Sequence, residues 1–315
     1  MTEIEINRTN HLIDPHLHVW GWEIPVYLFL GGVTAGLMIF SALLSWRVPA
    51  AERSRWARWL PLGAPIVLSL GMLALFMDLE FKRHVFRFYT TFQITSPMSW
   101  GSWILLLIYP ATVLLGLGQL TEDEAKKLCG WGPLRLLRVG ALCSWLREKT
   151  VAALPGLRWV NLMLGVSLGG YTGILLGTMG ARPAWSSAIL GPLFLVSGFS
   201  TGAALTMLFP VSGAEHHLLR RWDLGAIGVE IVLIGLFLLG LATGGEAAQG
   251  AARLFLGGPY TATFWSLVVI AGLAVPLLIE TVESVRGLRP SFAAPLLLLV
   301  GGLSLRWILV SAGQV

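Results

Sequence analysis

Eight apolar runs of roughly 18–25 residues punctuate the chain, near 22–46, 61–79, 99–120, 159–177, 187–210, 224–243, 262–284 and 293–311. As a helix, each is long enough to cross a hydrocarbon core of about 30 Å. The pattern therefore predicts an all-α integral membrane protein with about eight transmembrane helices in one polytopic domain, residues 1–315. No internal repeat or soluble domain interrupts it. Residues 1–21 form a polar N-terminal segment, and the longest connection, 121–158, contains the amphipathic stretch LRLLRVGALCSWLREK. That stretch predicts one interfacial helix. The N-terminal segment has no cleavable-signal pattern.

Composition agrees with the periodicity. The chain is 55% hydrophobic and only 12% charged, with 37 glycines and 14 tryptophans. These are marks of packed spans with aromatic belts. The net charge of +5 lies in short loops and does not indicate nucleic-acid binding. Fifteen of the 22 Lys and Arg residues fall in the loops after spans 1, 3, 5 and 7, against six on the other face. That asymmetry places the odd loops in the cytoplasm and both termini on the periplasmic, outer side of a cytoplasmic (inner) membrane. The main exception is the Lys82, Arg83, Arg87 cluster, which is basic on the wrong face and suits an acidic partner surface. Cys129 and Cys143 match no metal or redox spacing and are expected to be unpaired thiols in a reducing compartment. His16 and His18 offer two ligands without a third, so no metal site is assigned.

The chemistry concentrates in Asp78–Trp103, a polar loop between two spans. A carboxylate at the lip of a span needs a partner or a task. Along the inferred orientation, Glu23, Asp78, Tyr171 and Arg306 come from four spans and share one depth near the outer face. A quinone head requires such a setting: hydrogen-bond partners for two carbonyls, a carboxylate to exchange protons, and apolar walls. Competing readings stay open: Glu23 as a solvated helix end, Asp78 paired with Lys82 or Arg83, Arg306 in a structural pair, and Tyr171 as core or belt. Glu230, Glu280 and Glu283 lie in the inner halves of spans and are candidates for a proton path. The alternative there is a Glu283–Arg286 pair, with Glu280 reaching the interface.

No histidine falls mid-span, which disfavours a dihaem anchor. The two cysteines cannot hold an iron–sulfur cluster, and no glycine-rich loop suits a nucleotide.

The chain resembles the NrfD/PsrC-type, polysulfide reductase-like membrane subunits over nearly its whole length. The resemblance rests on Trp22 with Tyr27–Gly36 (YLFLGGVTAG), Asp78-Leu79, and Ser96–Gly101 (SPMSWG). It continues through Tyr171–Leu176 (YTGILL), Ser200–Ala204 (STGAA), and Gly301–Arg306 (GGLSLR) ending at Ala312-Gly313-Gln314. It implies two four-helix bundles and a menaquinone or ubiquinone site at the outer face. Partners would be a ferredoxin-like [4Fe–4S] subunit and, beyond it, a molybdopterin or multihaem cytochrome c catalytic subunit. Tyr171, Glu23 and Asp78 fall on family pocket positions. Val26 stands where polysulfide reductase members carry a pocket histidine, which shifts proton exchange to Glu23 or Asp78. The expected function is a quinone-reactive subunit of a respiratory oxidoreductase, with proton translocation as an added capacity. The rivals are a secondary transporter, which calls for inverted repeats, and a purely structural anchor.

Overall fold

The computed structural model describes residues 20–130 and 140–315. His11, His16, His18 and the first part of the amphipathic stretch, residues 134–139, lie outside the described residues. Among the described residues the fold is all-helical, and eight helices are long and apolar enough to span a membrane. The spans are α1 (Glu23–Arg47), α2 (Arg55–Asp78), α3 (Pro97–Gln119), α5 (Gly140–Gly177), α6 (Leu190–Met207), α7 (Gly213–Ala242), α9 (Thr261–Arg286) and α10 (Ala293–Ala312). Among the shorter helices between them are α4 (Glu122–Cys129) and α8 (Glu246–Phe255).

Local signals explain where several spans begin. Ser54 caps α2 by accepting a hydrogen bond from Ala57 N at 3.1 Å, so the helix starts six residues before the apolar run. Ser212 and Glu215 form a capping box that starts α7 eleven residues before its run. Glu215 also accepts from Ser54 N at 2.9 Å, tying the start of α7 to the α1–α2 loop.

The long connection proves different from its expected form. Its C-terminal part is continuous with span 4 in the 38-residue helix α5. At 1.5 Å per residue this is about 57 Å, nearly twice the hydrocarbon core, so its first turns project beyond the membrane on the arginine-rich face. Helix α4 folds back against that projection. Arg147 Nη2 donates to Leu120 O at 3.3 Å, and Cys129 is disulfide-bonded to Cys143. The expectation of two unpaired thiols is therefore corrected. Fourteen residues would separate the sulfurs widely along one helix, but the reversal brings the two Cα atoms to 5.7 Å. With that pairing, the reducing-compartment inference loses its basis, and the Lys/Arg asymmetry alone carries the orientation.

Packing centres on α1, which contacts α2, α5, α6 and α10. Its crossing with α6 is set by two Gly-x-x-x-Gly pairs, Gly32 with Gly36 and Gly198 with Gly202. A Cβ on Gly198 would stand 2.8 Å from Gly32 O, and one on Gly36 would stand 2.7 Å from Gly202 Cα. Lipid supplies no hydrophobic drive between spans, so such backbone contact is what holds them together. In α9, residues Phe264–Ala274 are π-helical, with Val275 N bonding Ile270 O. Pro276 follows at once; its ring would strike the carbonyl four residues back in a regular α-helix, and the wider turn relieves that conflict. At the opposite face, Trp20 N donates to Gln314 Oε1 at 2.9 Å and Gln314 Nε2 returns a bond to Trp20 O at 3.0 Å.

Gly202→Leu should abolish the α1–α6 crossing and with it recovery of monodisperse protein from detergent, whereas Gly228→Leu, where a Cβ meets nothing within 4 Å, should not. Equal yields of the two variants in size-exclusion runs would refute the crossing's role. At the arginine-rich face, Arg58 holds Glu124 through two bonds of 2.9 and 3.0 Å. Burial pushes the Glu124 carboxyl up, but Arg58 and Thr121 more than offset it and hold it at about 2. A depressed folded-state value means the stabilisation is present above about 4.5 and fades as pH falls towards about 2. The melting-temperature gap between wild type and Glu124→Gln should therefore close across that window; a gap constant down to low pH would be the contrary result.

Candidate functional site

At the face opposite the arginine-rich loops, the ends of α1, α2, α3 and α5 enclose a cavity of about 450 Å³. Its walls are mostly apolar, including Ile24, Leu28, Met72, Leu75, Leu105 and Leu176. Its polar lining is Tyr27, Asp78, Tyr89, Ser102 and Tyr171. Tyr27 and Tyr171 are buried, Tyr89 and Asp78 half-buried. Tyr27 lies within electrostatic range of both other phenols. None of the three phenol hydroxyls has a hydrogen-bond partner among the described residues. Buried Tyr hydroxyls usually find partners, so three free ones converging on one cavity are donors awaiting an acceptor.

The surroundings fix this constellation. Gly101 lies directly beneath the Tyr171 ring, where any Cβ would overlap it. Ser102 Oγ bonds Phe88 O at 2.7 Å and Ser99 O at 2.8 Å, anchoring the 79–96 loop to the start of α3. Trp20 closes the cavity from the side. It stacks on Trp185 at 4.9 Å, whose Nε1 donates to Leu309 O at 2.8 Å. For Tyr89, burial raises the hydroxyl above its ordinary value, with a smaller push from Tyr109, so it stays protonated and able to donate at neutral pH.

The structure therefore brings Asp78 and Tyr171 into one cavity. Asp78 forms no ion pair with Lys82 or Arg83. Glu23 stands at the rim, within electrostatic range of Asp78, without lining the cavity. Lys82, Arg83 and Arg87 are exposed on the loop beside it, among the exposed aromatics Phe81, Phe86 and Phe92.

Arg306 does not line the cavity. It is wholly buried and four of its five N–H donors are engaged: Nε to Leu28 O at 3.2 Å, Nη1 to Ser197 Oγ at 3.1 Å and Gly302 O at 2.8 Å, and Nη2 to Phe194 O at 3.3 Å. The shared depth was a coincidence of axial position; rotation about α10 aims the side chain at α1 and α6.

A second polar system runs from the core to the arginine-rich face. Glu230 reaches Ser197 and lies within electrostatic range of Arg306. Asp223, fully buried, accepts from Ser200 Oγ at 2.6 Å and turns its other oxygen towards Glu280. That oxygen and both Glu280 oxygens are buried without other partners. Glu283 pairs with Arg220 at 3.5 Å, not with Arg286, and accepts from Ser291 N at 2.9 Å. Glu280, only 2% exposed, does not reach the interface. Sequence reasoning missed Asp223, Tyr27 and Tyr89. Asp223 carried a signal, an acid one residue from the start of an apolar run; the phenols carried none beyond the Tyr27 motif. Among the described residues no group of His, Cys, Asp and Glu converges as a metal site would.

The NrfD family profile, described as "Polysulphide reductase, NrfD", matches residues 9–315. The chain belongs to the NrfD family. Protein NrfD of Escherichia coli (strain K12) is 32% identical over 312 residues, covering 94% of this chain and 95% of its own length. A polysulfide reductase chain of Wolinella succinogenes is 29% identical over 311 residues, which cover 94% of either sequence. A selenate reductase subunit of Mesobacillus selenatarsenatis is 28% identical over 318 residues, 92% of this chain and 73% of its own length. With its eight apolar helices, this NrfD-family protein is a multi-pass inner-membrane protein. Its motifs resolve into distinct tasks. YLFLGGVTAG supplies Tyr27 and the α1 half of the glycine crossing, SPMSWG the seat for Tyr171, and STGAA both Ser200 and Gly202.

Gly101→Val should displace the Tyr171 ring, and its hydroxyl with it, without deleting any cavity hydroxyl. Its effect on ligand binding in the cavity should match that of Tyr171→Phe, measured by titration of a quinone analogue. Wild-type affinity in Gly101→Val would show that the ring position is immaterial.

Proposed function

We propose that this NrfD-family protein is the quinone-reactive membrane subunit of a respiratory oxidoreductase complex. The observation that carries the proposal is the apolar cavity with three unpartnered phenols and one carboxylate. A quinone head presents two carbonyl acceptors, and Tyr171 with Tyr27 or Tyr89 offers donors to them. A hydroquinone must release two protons when its two electrons leave, and Asp78, half-buried and unpaired, is the group placed to take them, with Glu23 at the rim as exit. The apolar walls suit an isoprenoid tail of menaquinone or ubiquinone type.

The relatives that belong to polysulfide and selenate reductases support membership in a multi-subunit reductase. Electrons would then pass between the cavity and an iron–sulfur partner, of ferredoxin-like [4Fe–4S] type, at the periplasmic face. A molybdopterin or multihaem cytochrome c subunit would stand beyond it. The exposed loop with Lys82, Arg83, Arg87 and Phe81 is the docking surface we assign to that partner: unpaired cations steer and exposed aromatics anchor. The helix neighbours support a division into two four-helix bundles, α1-α2-α3-α5 and α6-α7-α9-α10, joined at the α1–α6 crossing.

The series Glu230, Asp223, Glu280 and Glu283 supports a proton path from the arginine-rich face. The facing Asp223 and Glu280 oxygens, which have no other donor, are satisfied by one proton between them.

Binding of a quinone analogue to the full-length protein in detergent tests the site. Tyr171→Phe and Asp78→Asn should each weaken it about tenfold, the loss of one good hydrogen bond. Unchanged affinity in both would remove the cavity from the function. Glu280→Gln, in contrast, should leave analogue binding intact and abolish proton uptake by proteoliposomes carrying the assembled complex; full proton uptake in that variant would exclude the path.

A further inference from the structure

On the arginine-rich side a groove of about 720 Å³ runs between α1, α5, α6 and α7. Its walls include Ile39, Val166, Leu195, Val196, Phe199 and Val229. At its mouth stand Arg47, in the last turn of α1, and Arg221 with Trp222, in the third turn of α7. Both arginines are exposed, and neither makes an ion pair or hydrogen bond among the described residues. No acidic side chain lines the groove. From Arg47 back to Ile39, and from Arg221 on to Val229, is eight residues of helix, so the slot extends about 12 Å into the apolar layer. Gly225 lines it, and a Cβ there would meet nothing within 4 Å, which leaves the slot wide. Phe199 braces the mouth edge-on against Trp222 at 6.2 Å.

We infer that this groove binds a diacyl phospholipid with an anionic headgroup, its phosphodiester between Arg47 and Arg221 and an acyl tail along the slot. Guanidinium groups match phosphate oxygens in charge and in planar donor geometry. A quinone tail would fill the slot but leave both cations unanswered, and a second copy of this arginine-rich face would repel it. The groove joins the α1 and α5 side to the α6 and α7 side, so a bound lipid would fill the outer seam of the same crossing that the glycines close in the core.

Native mass spectrometry of the full-length protein, titrated with dioleoylphosphatidylglycerol or dioleoylphosphatidylcholine, tests this. Wild type should retain one phosphatidylglycerol in preference to phosphatidylcholine. The double variant Arg47→Gln/Arg221→Gln should bind phosphatidylglycerol about tenfold more weakly, while Gly225→Phe, which fills the slot, should lower retention of both lipids. Equal retention of the two lipids by wild type would overturn the proposal, as would undiminished phosphatidylglycerol binding by the double variant. Normal binding in Gly225→Phe would place the lipid on the surface and not in the groove. Unchanged affinity of each variant for a quinone analogue shows that its fold and the opposite cavity are intact.

Discussion

A full positive charge at the centre of a lipid-embedded fold constrains everything around it. Arg306 is costly to bury, and it persists because four acceptors from three helices meet its guanidinium. Those acceptors must be close together, which requires α1, α6 and α10 to approach nearly to backbone contact. The glycines at 32, 36, 198 and 202 permit the approach. The rings of Phe29 and Phe194, 5.9 and 5.2 Å from the guanidinium carbon, add cation–π attraction. Crossing and charge thus depend on each other: without the glycines the acceptors would not converge, and without the arginine the carbonyls of Leu28 and Phe194 would lose a donor.

The consequence reaches the cavity through one residue. Leu28, whose carbonyl Arg306 holds, follows Tyr27, whose side chain lines the cavity. The turn of α1 that carries a site phenol is therefore fixed from behind by a buried charge. The same arginine faces the other way through Glu230 and Ser197 towards the series of carboxylates. One buried cation therefore stands between a phenol-rich cavity and an acidic series on the opposite side. This is the arrangement that chemistry at one face and proton movement from the other would need. The π-helical stretch of α9 precedes Glu280 and is where that helix departs most from regular geometry.

The two faces of the protein also differ in how their polar groups are used. On the arginine-rich face, acids are spent in structure: Glu124 on Arg58, and Glu215 on the starts of α2 and α7. Among the cations that remain unanswered there, Arg47 and Arg221 edge an apolar groove. On the other face, Asp78 and the phenols stay unsatisfied around a cavity. Unspent polar groups, rather than polar groups as such, mark the places where something else is to be bound.

Much of this was legible in the sequence. Hydropathy sums over a span, so the number of membrane helices, and that Asp78 and Tyr171 lie towards one face, followed from run lengths and order alone. The motif Gly32-x-x-x-Gly36 was visible too, although its partner at Gly198 and Gly202 was not. What escaped the sequence depended on rotation about helix axes and on which helices are neighbours. Spans that are apolar all round carry no stripe to say which way they face. Depth therefore grouped Arg306 with the cavity, while packing turned it into the core; Asp223 and Tyr27 met their neighbours only once α6, α7 and α9, or α1 and α5, were set side by side. The reversal that pairs Cys129 with Cys143 is likewise a property of the fold. Axial position is encoded locally and can be counted; convergence is a relation between distant segments, and only the tertiary structure decides it.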